Sequence, residues 1–212
     1  MGAREITTRR RTIRRMIGAS AVIAATAMLV GSPGPRAPGG AAAPACANAD
    51  AQPGTVSPGA LADATVCLVN RVRAAHRLPL LTRQKQLDSF ASGFARQMVS
   101  RKFFSHDVPG GPTFASRARA SAYARGARTM PMMGENIAWA TAELATPAEI
   151  VTAWMNSPGH RENILRRQFR EIGVGVSLAA PEAGWGPADG PATYVHSFGV
   201  RVAKASAKRA RR

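Results

Sequence analysis

The chain has 212 residues, enough for one ordinary domain with terminal segments but too few for two comfortable domains. Its 29 Lys and Arg against 12 Asp and Glu give a formal net charge of +17, which favours anionic partners. Nucleic acid is disfavoured among them, because aromatic residues make up only 6% of the chain and no known nucleic-acid-binding signature is present.

Residues 1–45 are predicted to be a signal peptide with its cleavage region. An Arg-rich start leads into the apolar run Met16–Val30, which is followed by Pro, Gly and Ala. A membrane-spanning helix needs ~20 apolar residues, whereas this run has about 15 and contains Gly18, Ser20 and Thr26. The sequence therefore favours a secreted protein over one with a stable transmembrane anchor, and association with the cell envelope stays open.

Cys46 and Cys67 are the only two cysteines of the chain. Because an exported chain meets an oxidising environment, we predict that they form an intramolecular disulfide. This bridge would join an N-terminal arm, residues 46–59, to the first helix. Two unpaired thiols are the main alternative. Lipidation of Cys46 is a weaker one, because the Ala-Pro-Ala segment before it lacks the aliphatic residue that such a signal requires.

Three helices are predicted in the first half of the folded region. Apolar residues at helical spacing indicate a helix over Pro58–His76 and a second, core-facing helix around Leu87–Val99. A shorter helix rich in Ala and Arg is expected around Thr113–Tyr123, after a Pro-Gly-Gly turn.

Two further helices are predicted from their start signals. Thr146 is the expected N-cap of a helix with Pro147 in its first turn. Ser157-Pro158 repeats this signal, so His160 is expected in the first turn of another short helix.

Two strands follow these helices. Ile172–Val176 and Tyr194–Val202 alternate and contain β-branched residues, whereas Pro181–Pro191 has the composition of a loop. Helices that flank a small antiparallel sheet make an α+β domain, which we place at residues 60–202.

Residues 203–212 are predicted to be a disordered basic tail. Half of them are Lys or Arg, and the segment has no turn or core signal. Outside the cell, such a tail would attract anionic wall polymers or lipid headgroups by a long-range electrostatic attraction that salt screens. A merely solvated tail is the equally weighted alternative.

Three short islands carry most of the functional signal: Ser105-His106-Asp107, Gly134-Glu135-Asn136 and the segment from Trp154 to Arg161. In this order and spacing they resemble the bacterial branch of the CAP superfamily, the secreted domains named for cysteine-rich secretory proteins, antigen 5 and pathogenesis-related proteins. The resemblance extends over about residues 60–202 and implies an α-β-α sandwich. It continues through three more segments: Leu68–Arg73, Glu171–Val176 and Tyr194–Gly199.

The resemblance also implies a central cleft lined by His106, Glu135 and His160. In many members two histidines with carboxylate or water neighbours hold a divalent metal, which makes His106 and His160 candidate zinc ligands. Ser157 stands where animal and plant members have a second glutamate, so Glu135 is left as the carboxylate of the cluster. His196 replaces the glutamine usual in bacterial members, and it lies either near the cleft or on a solvent-facing strand position.

Two functions and one structural reading remain open for this cluster. The favoured function is a monomeric binding module, not an enzyme, that recognises a lipid, glycan or protein at the cell envelope. The alternative function is a zinc-assisted hydrolase in which Glu135 acts as base on the metal-bound water. Binding is favoured because the second glutamate is missing and because the family that the chain resembles mostly lacks a settled enzymatic activity. No nucleophile elbow or His-Glu-x-x-His helix occurs in the sequence. The third reading is a buried hydrogen-bond network with no ligand.

Overall fold

The computed structural model of the protein describes residues 45–201, so the predicted signal peptide and the predicted basic tail lie outside the described part. No helix within 45–201 is long and apolar enough to cross a membrane. The helices and strands are, in chain order, α1 (Pro58–Ala75), β1 (Thr82–Arg83), α2 (Lys85–Arg101), α3 (Phe114–Ala120), α4 (Ala122–Arg125), β2 (Met132–Thr141), α5 (Pro147–Asn156), α6 (Pro158–Leu165), β3 (Glu171–Ser177) and β4 (Pro191–Val200).

The strands form one sheet in the order β1-β3-β4-β2. Strand β4 lies between β3 and β2 and is antiparallel to both, so that Val174 and Asn136 each stand opposite His196. The predicted antiparallel sheet is thus confirmed for its three long strands. One correction is needed at the edge, where β1 pairs with β3 in parallel over two residues before the chain turns into α2.

Helices cover both faces of the sheet, which confirms the α-β-α sandwich. One core joins Leu61 and Val69 of α1 and Trp154 of α5 to Val174 and Phe198 of the sheet. A second, smaller core packs α2 against Ile137 and Val195 on the opposite face. Side chains that alternate along each strand supply both cores, as the two-residue period of a strand requires.

Two glycines of β3 allow α2 to approach the sheet closely. A Cβ added at Gly173 would lie 2.2 Å from the backbone carbon of Leu87, and one added at Gly175 would lie 2.2 Å from the backbone nitrogen of Ser92. Because no side-chain carbon tolerates such a contact, the backbone of α2 rests directly on β3. This contact aligns the axis of α2 with the direction of β3.

The prediction of a single helix around Thr113–Tyr123 is wrong, because the segment forms two helices. Ser121 adopts an extended conformation with ψ of 152° and separates α3 from α4. Its hydroxyl accepts a hydrogen bond from the backbone nitrogen of Ala124 at 3.1 Å, so the same residue caps the second helix. The predicted cap of α5 is confirmed, since Thr146 Oγ1 accepts from the backbone nitrogen of Glu149 at 3.4 Å. Helix α6 begins after Ser157 as predicted, but the side chain of Ser157 makes no cap bond.

Strand β2 was not predicted, and β4 begins three residues earlier than expected. Strand β2 contains the Gly-Glu-Asn island and pairs with β4 along all ten of its residues. Its sequence includes a single β-branched residue before Thr141, namely Ile137, so propensity gives it little support. Pairing with the fully buried β4 determines its conformation instead.

The predicted disulfide between Cys46 and Cys67 is confirmed, with the two Cα atoms 5.7 Å apart. It fastens the N-terminal arm to the middle of α1. Farther along the arm, the carbonyl of Ala49 accepts a hydrogen bond from the backbone nitrogen of Ala148 at 2.9 Å. The arm therefore satisfies a free N–H group in the first turn of α5.

Arg73 of α1 is fully buried, and its guanidinium is satisfied by backbone carbonyls rather than by a carboxylate. It donates to Pro79 O at 2.9 Å and to Phe169 O at 3.3 Å. It also donates to the carbonyls at the end of α6, Ile164 O at 2.7 Å and Arg166 O at 3.1 Å. One side chain thus joins α1 to the segment that leads from α6 into β3.

Candidate functional site

His106 and Glu135 meet at the edge of the sheet formed by β2. The side chain of Glu135 is only 1% exposed, and its Oε1 lies 3.0 Å from Nδ1 of His106, in the turn between α2 and α3. The imidazole is 46% exposed. Because Glu135 holds the inner nitrogen, the outer nitrogen of His106 is left facing the cleft. A carboxylate that contacts an imidazole in this way determines which ring nitrogen carries the proton, and it fixes the orientation of the ring.

Arg117 of α3 completes this cluster, and no sequence pattern had predicted it. Its Nη2 lies 2.9 Å and 3.2 Å from the two oxygens of Glu135 and 2.8 Å from the carbonyl of His106. The guanidinium stacks 3.4 Å above the ring of Phe94. This ion pair supplies the positive charge that a buried carboxylate needs, so Glu135 is committed to two protein partners.

His160 lies in the first turn of α6, as predicted, and at the same end of the sheet. Burial, together with the charge of nearby His106, lowers the pKa of His160. The imidazole is therefore neutral at neutral pH. The backbone carbonyl of His160 accepts a hydrogen bond from Asn136 Nδ2 at 3.0 Å, which ties α6 to β2.

Asn163 strengthens this link from the same helix. Its side-chain amide donates to Asn136 Oδ1 at 2.9 Å and to the carbonyl of Glu135 at 3.3 Å. Asn136 and Asn163 thus use their amides within the protein, which gives the Gly-Glu-Asn island a structural role beside that of its glutamate. A periodicity argument could not have paired these two asparagines, because they lie 27 residues apart.

These residues border a shallow cleft of about 310 Å³. Its lining combines polar and apolar groups: His106, Phe114, Met133, Gly134, Glu135 and Asn163. His160 and Ser157 are not part of this lining. Ser157 instead lies at the junction of α5 and α6, where it occupies the N-cap position without a side-chain cap bond.

His196 is not at the cleft, and it does not face solvent. It is fully buried on β4, with its ring centroid 4.0 Å from that of Phe198 and 5.3 Å from that of Trp154. Neither ring nitrogen has a hydrogen-bond partner in residues 45–201. Both locations expected from the sequence, near the cleft and on a solvent-facing strand position, are therefore wrong. The reason is that β4, the strand that carries His196, is covered by helices on both faces of the sheet. Burial, with a smaller contribution from the charge of Arg73, lowers the pKa of His196 to about 3.

Replacing His196 with Leu should therefore make the stability of the protein less sensitive to acid. The unfolded chain protonates this histidine near its usual pKa of ~6.5, whereas the folded chain resists protonation down to about 3. Stability is complete above pH 6.5 and falls as the pH drops below it. The parent should lose up to about 1.4 kcal/mol per pH unit more than the variant. Urea denaturation at pH 7.5, 5.5 and 4.5 measures this, and parallel pH profiles would contradict it.

The donor set around His106 fits a metal ion only in part. Within residues 45–201, no group of three or more His, Cys, Asp or Glu side chains could hold a metal ion. Glu135 is already bound by Arg117 and His106, so it suits a supporting role better than direct ligation. The outer nitrogen of His106 and the neutral imidazole of His160 are the groups that remain for a metal.

A three-layer α-β-α sandwich with a His-Glu cleft at the edge of its sheet defines the class of SCP-like domains. The sequence profile of the cysteine-rich secretory protein (CAP) family matches residues 66–185, and the chain belongs to this family. The expectation drawn from the sequence islands is thereby confirmed.

Several known proteins resemble this chain. The uncharacterized protein YkwD of Bacillus subtilis is 36% identical over 110 residues, which is 51% of this chain and 39% of that protein. An extracellular protein containing an SCP domain from Bacillus anthracis has 28% identity and a TM-score of 0.51, over 71% of this chain and 45% of that chain. An outer surface protein from Borrelia burgdorferi shares the fold with 20% identity and a TM-score of 0.51, over 64% of this chain and 89% of that chain. The chain thus spans less than half the length of the two Bacillus relatives.

Proposed function

We propose that this protein is an exported CAP domain that acts as a binding module at the cell envelope, through the cleft beside His106 and Glu135. The observation that carries the proposal is the double engagement of Glu135 by Arg117 and His106. A general base needs a carboxylate that is free to take a proton from its substrate, and this one is neutralised inside the protein. The arrangement instead holds the half-exposed imidazole of His106 in a fixed direction, which suits recognition.

The chemistry of the cleft supports an envelope ligand. The imidazole of His106 offers one polar contact, while Phe114 and Met133 offer apolar ones. A site with few directed polar groups among apolar side chains is typical of ligand binding. Export is supported by the predicted signal peptide, by the disulfide, and by relatives described as extracellular or as an outer surface protein.

Binding of purified, tagged protein to fractionated envelope tests this proposal. Three fractions serve as probes: vesicles of the extracted lipids, the wall polymers, and detergent-solubilised membrane proteins. We expect one fraction to retain the parent and to retain His106→Ala at least about tenfold less well. His76→Ala is the matched control, since His76 is an exposed histidine at the end of α1. If His106→Ala and the parent are retained equally well, the cleft is not the binding site.

A further variant separates the cleft from the basic tail. Removal of residues 203–212 deletes five positive charges and leaves the cleft residues in place. If this truncation alone abolishes retention, and retention of the parent disappears in high salt, the tail holds the protein at the envelope by general electrostatic attraction. Binding through the cleft should instead survive the truncation.

Metal-assisted hydrolysis is a second candidate, favoured by the proximity of two imidazoles. His106 and His160 would hold the ion, and Glu135 would orient His106 as its second-shell partner. Bound zinc would supply a Lewis acid and an activated water. The chain's own residues contribute two imidazole nitrogens, whereas Glu135 is occupied by Arg117 and is poorly placed to act as base.

We predict that the purified protein binds Zn²⁺ at neutral pH through these two histidines. Protons compete for the same nitrogen lone pairs, so binding should weaken as the pH falls through the histidine range. Calorimetric titration should show loss of binding in His106→Ala/His160→Ala and no change in His76→Ala. A double variant that binds like the parent would exclude this site and the hydrolase with it.

A further inference from the structure

One edge of the sheet is left open by the shortness of β1. Strand β1 accompanies β3 only at Glu171 and Ile172, because the chain leaves the sheet and enters α2 at Lys85. Strand β3 continues to Ser177 without a neighbour on this side. No strand therefore pairs with residues 173–177 on this side, where Val174 is buried and its N–H is bonded to Asp88, whereas Val176 and Ser177 are half-buried.

The backbone groups along this edge can be assigned from the bonds that do form. The backbone nitrogen of Gln84 donates to Ile172 O at 2.8 Å, and the backbone nitrogen of Val174 donates to Asp88 Oδ1 at 3.0 Å. Alternate residues of a strand point their backbone groups to the same edge, so Val176 faces the same way. No hydrogen bond from residues 45–201 reaches the carbonyl of Val174 or either backbone group of Val176. An unpaired edge of this kind is a template for another strand.

A cavity of about 450 Å³ lies along this edge. We call it the β3 edge groove. Its walls are the first turns of α1, with Pro58 and Ala62, and the exposed side of α2, with Ser92 and Arg96. Val174 and Val176 also line it. The groove thus combines strand backbone, apolar side chains and a helix on each side.

Two arginines line the groove, and only one of them has an acidic partner within residues 45–201. Arg83 pairs with Asp88 at 2.9 Å and contacts Asp63, so its charge is balanced. Arg96 is exposed and forms no ion pair with residues 45–201. Because α2 runs along β3, with Leu87 at Gly173 and Ser92 at Gly175, Arg96 falls beside the far end of the strand. One end of the groove therefore presents an unbalanced positive charge.

We propose that the β3 edge groove binds an extended peptide, which adds to β3 as a further strand and places a carboxylate beside Arg96. A peptide backbone supplies alternating donors and acceptors at the spacing of a strand, which neither a lipid nor a glycan provides. The apolar lining accepts alternate side chains, and Arg96 selects an acidic end by charge. This site lies at the β3 edge of the sheet, whereas the His106 cleft lies at the β2 edge.

Selection from a pentapeptide library with random sequence and a free C-terminal aspartate tests the proposal on the full exported chain. We expect selected peptides to shift the amide resonance of Val176 in NMR titrations. Arg96→Glu should weaken their binding by about tenfold or more, because it reverses the sign of the selecting charge. Arg71→Glu is the charge-matched control, on an exposed residue of α1 about 14 Å along the helix from Ala62.

A second variant tests the backbone contact. Val176→Pro removes the outward N–H but no bond of the β3–β4 ladder, so circular dichroism should show a folded protein. It should weaken the selected peptides about as much as Arg96→Glu does, while His106→Ala should leave them unaffected. If no pentapeptide binds with a Kd below about 1 mM, or if selected peptides bind Arg96→Glu as well as the parent, the proposal is overturned.

Discussion

Replacing Arg73 with Met should lower the free energy of unfolding by about 4 kcal/mol, the largest loss that we expect from any single substitution discussed. Methionine fills much of the same space but donates no hydrogen bond. The carbonyls of Pro79 and Ile164 would lose their donor, whereas those of Arg166 and Phe169 keep a second one, from Phe169 N and Arg170 Nη1. A buried polar group left without a partner costs about 1 to 3 kcal/mol, so two such carbonyls cost about 2 to 6 kcal/mol.

Urea denaturation followed by circular dichroism measures this loss. Arg71→Met is the matched control, because Arg71 lies two residues earlier on α1 and is exposed. Its unfolding free energy should remain within about 0.5 kcal/mol of the parent. Arg73→Lys should fall between the two, since an ammonium group keeps the charge but cannot reach four carbonyls in the plane of a guanidinium. A loss below about 1 kcal/mol in Arg73→Met would show that the carbonyls find other partners.

Arg73 illustrates what sequence periodicity can and cannot establish. The apolar stripe of α1 predicted the helix almost to the residue, from Pro58 to Ala75. The sequence shows Arg73 only as a charged residue of this helix, and charged residues usually face solvent. Its four acceptors lie in loops and helix ends up to 96 residues away, and no local pattern records them. Long-range partners of a side chain are a property of the tertiary structure.

The cleft was predictable in its ligand-type residues but not in the residue that determines their chemistry. The islands around His106 and Glu135 are identified through their order and spacing, which resemble those of the CAP family. Arg117 lies in a helix with one other arginine, Arg119, and nothing in the local sequence distinguishes the two. Yet Arg117 is the residue that pairs with the buried Glu135, and the proposal of binding over catalysis rests on this ion pair. The motifs therefore indicate a candidate site, but not the ion pair on which its proposed chemistry depends.

His196 and β2 were missed because of the central position of β4. Strand β4 is buried at nine of its ten residues, polar ones included, so the alternation in its sequence does not mark a solvent-facing side. An interpretation based on alternation then assigns its histidine to a surface. Strand β2 obtains its conformation from the same neighbour, against its own modest propensity. For both strands tertiary burial outweighed the local signal.

The disulfide, by contrast, followed from cysteine count and export alone, and its removal should be the second large effect. Cys46→Ser/Cys67→Ser should lose roughly 3 kcal/mol of unfolding free energy, because the bridge closes a loop between residues separated by 21 positions. The arm should also detach locally, since the bond from Ala148 to the carbonyl of Ala49 is then held by the arm alone. Hydrogen exchange at the Ala148 amide should accelerate more than exchange in β4.

A reducing agent provides the control for this prediction. It should destabilise the parent by the same amount as the double substitution, and it should leave the double variant unchanged, since the structure contains no other disulfide within residues 45–201. Comparison of the two unfolding curves, with intact mass before and after alkylation, separates loss of the bridge from damage by the new serines. If the reduced parent is as stable as the oxidised one, the non-covalent contacts of the arm are sufficient to hold it. In that case the N-terminal arm is anchored chiefly by its packing against α1 and α5, and the loop-closure argument fails for this domain.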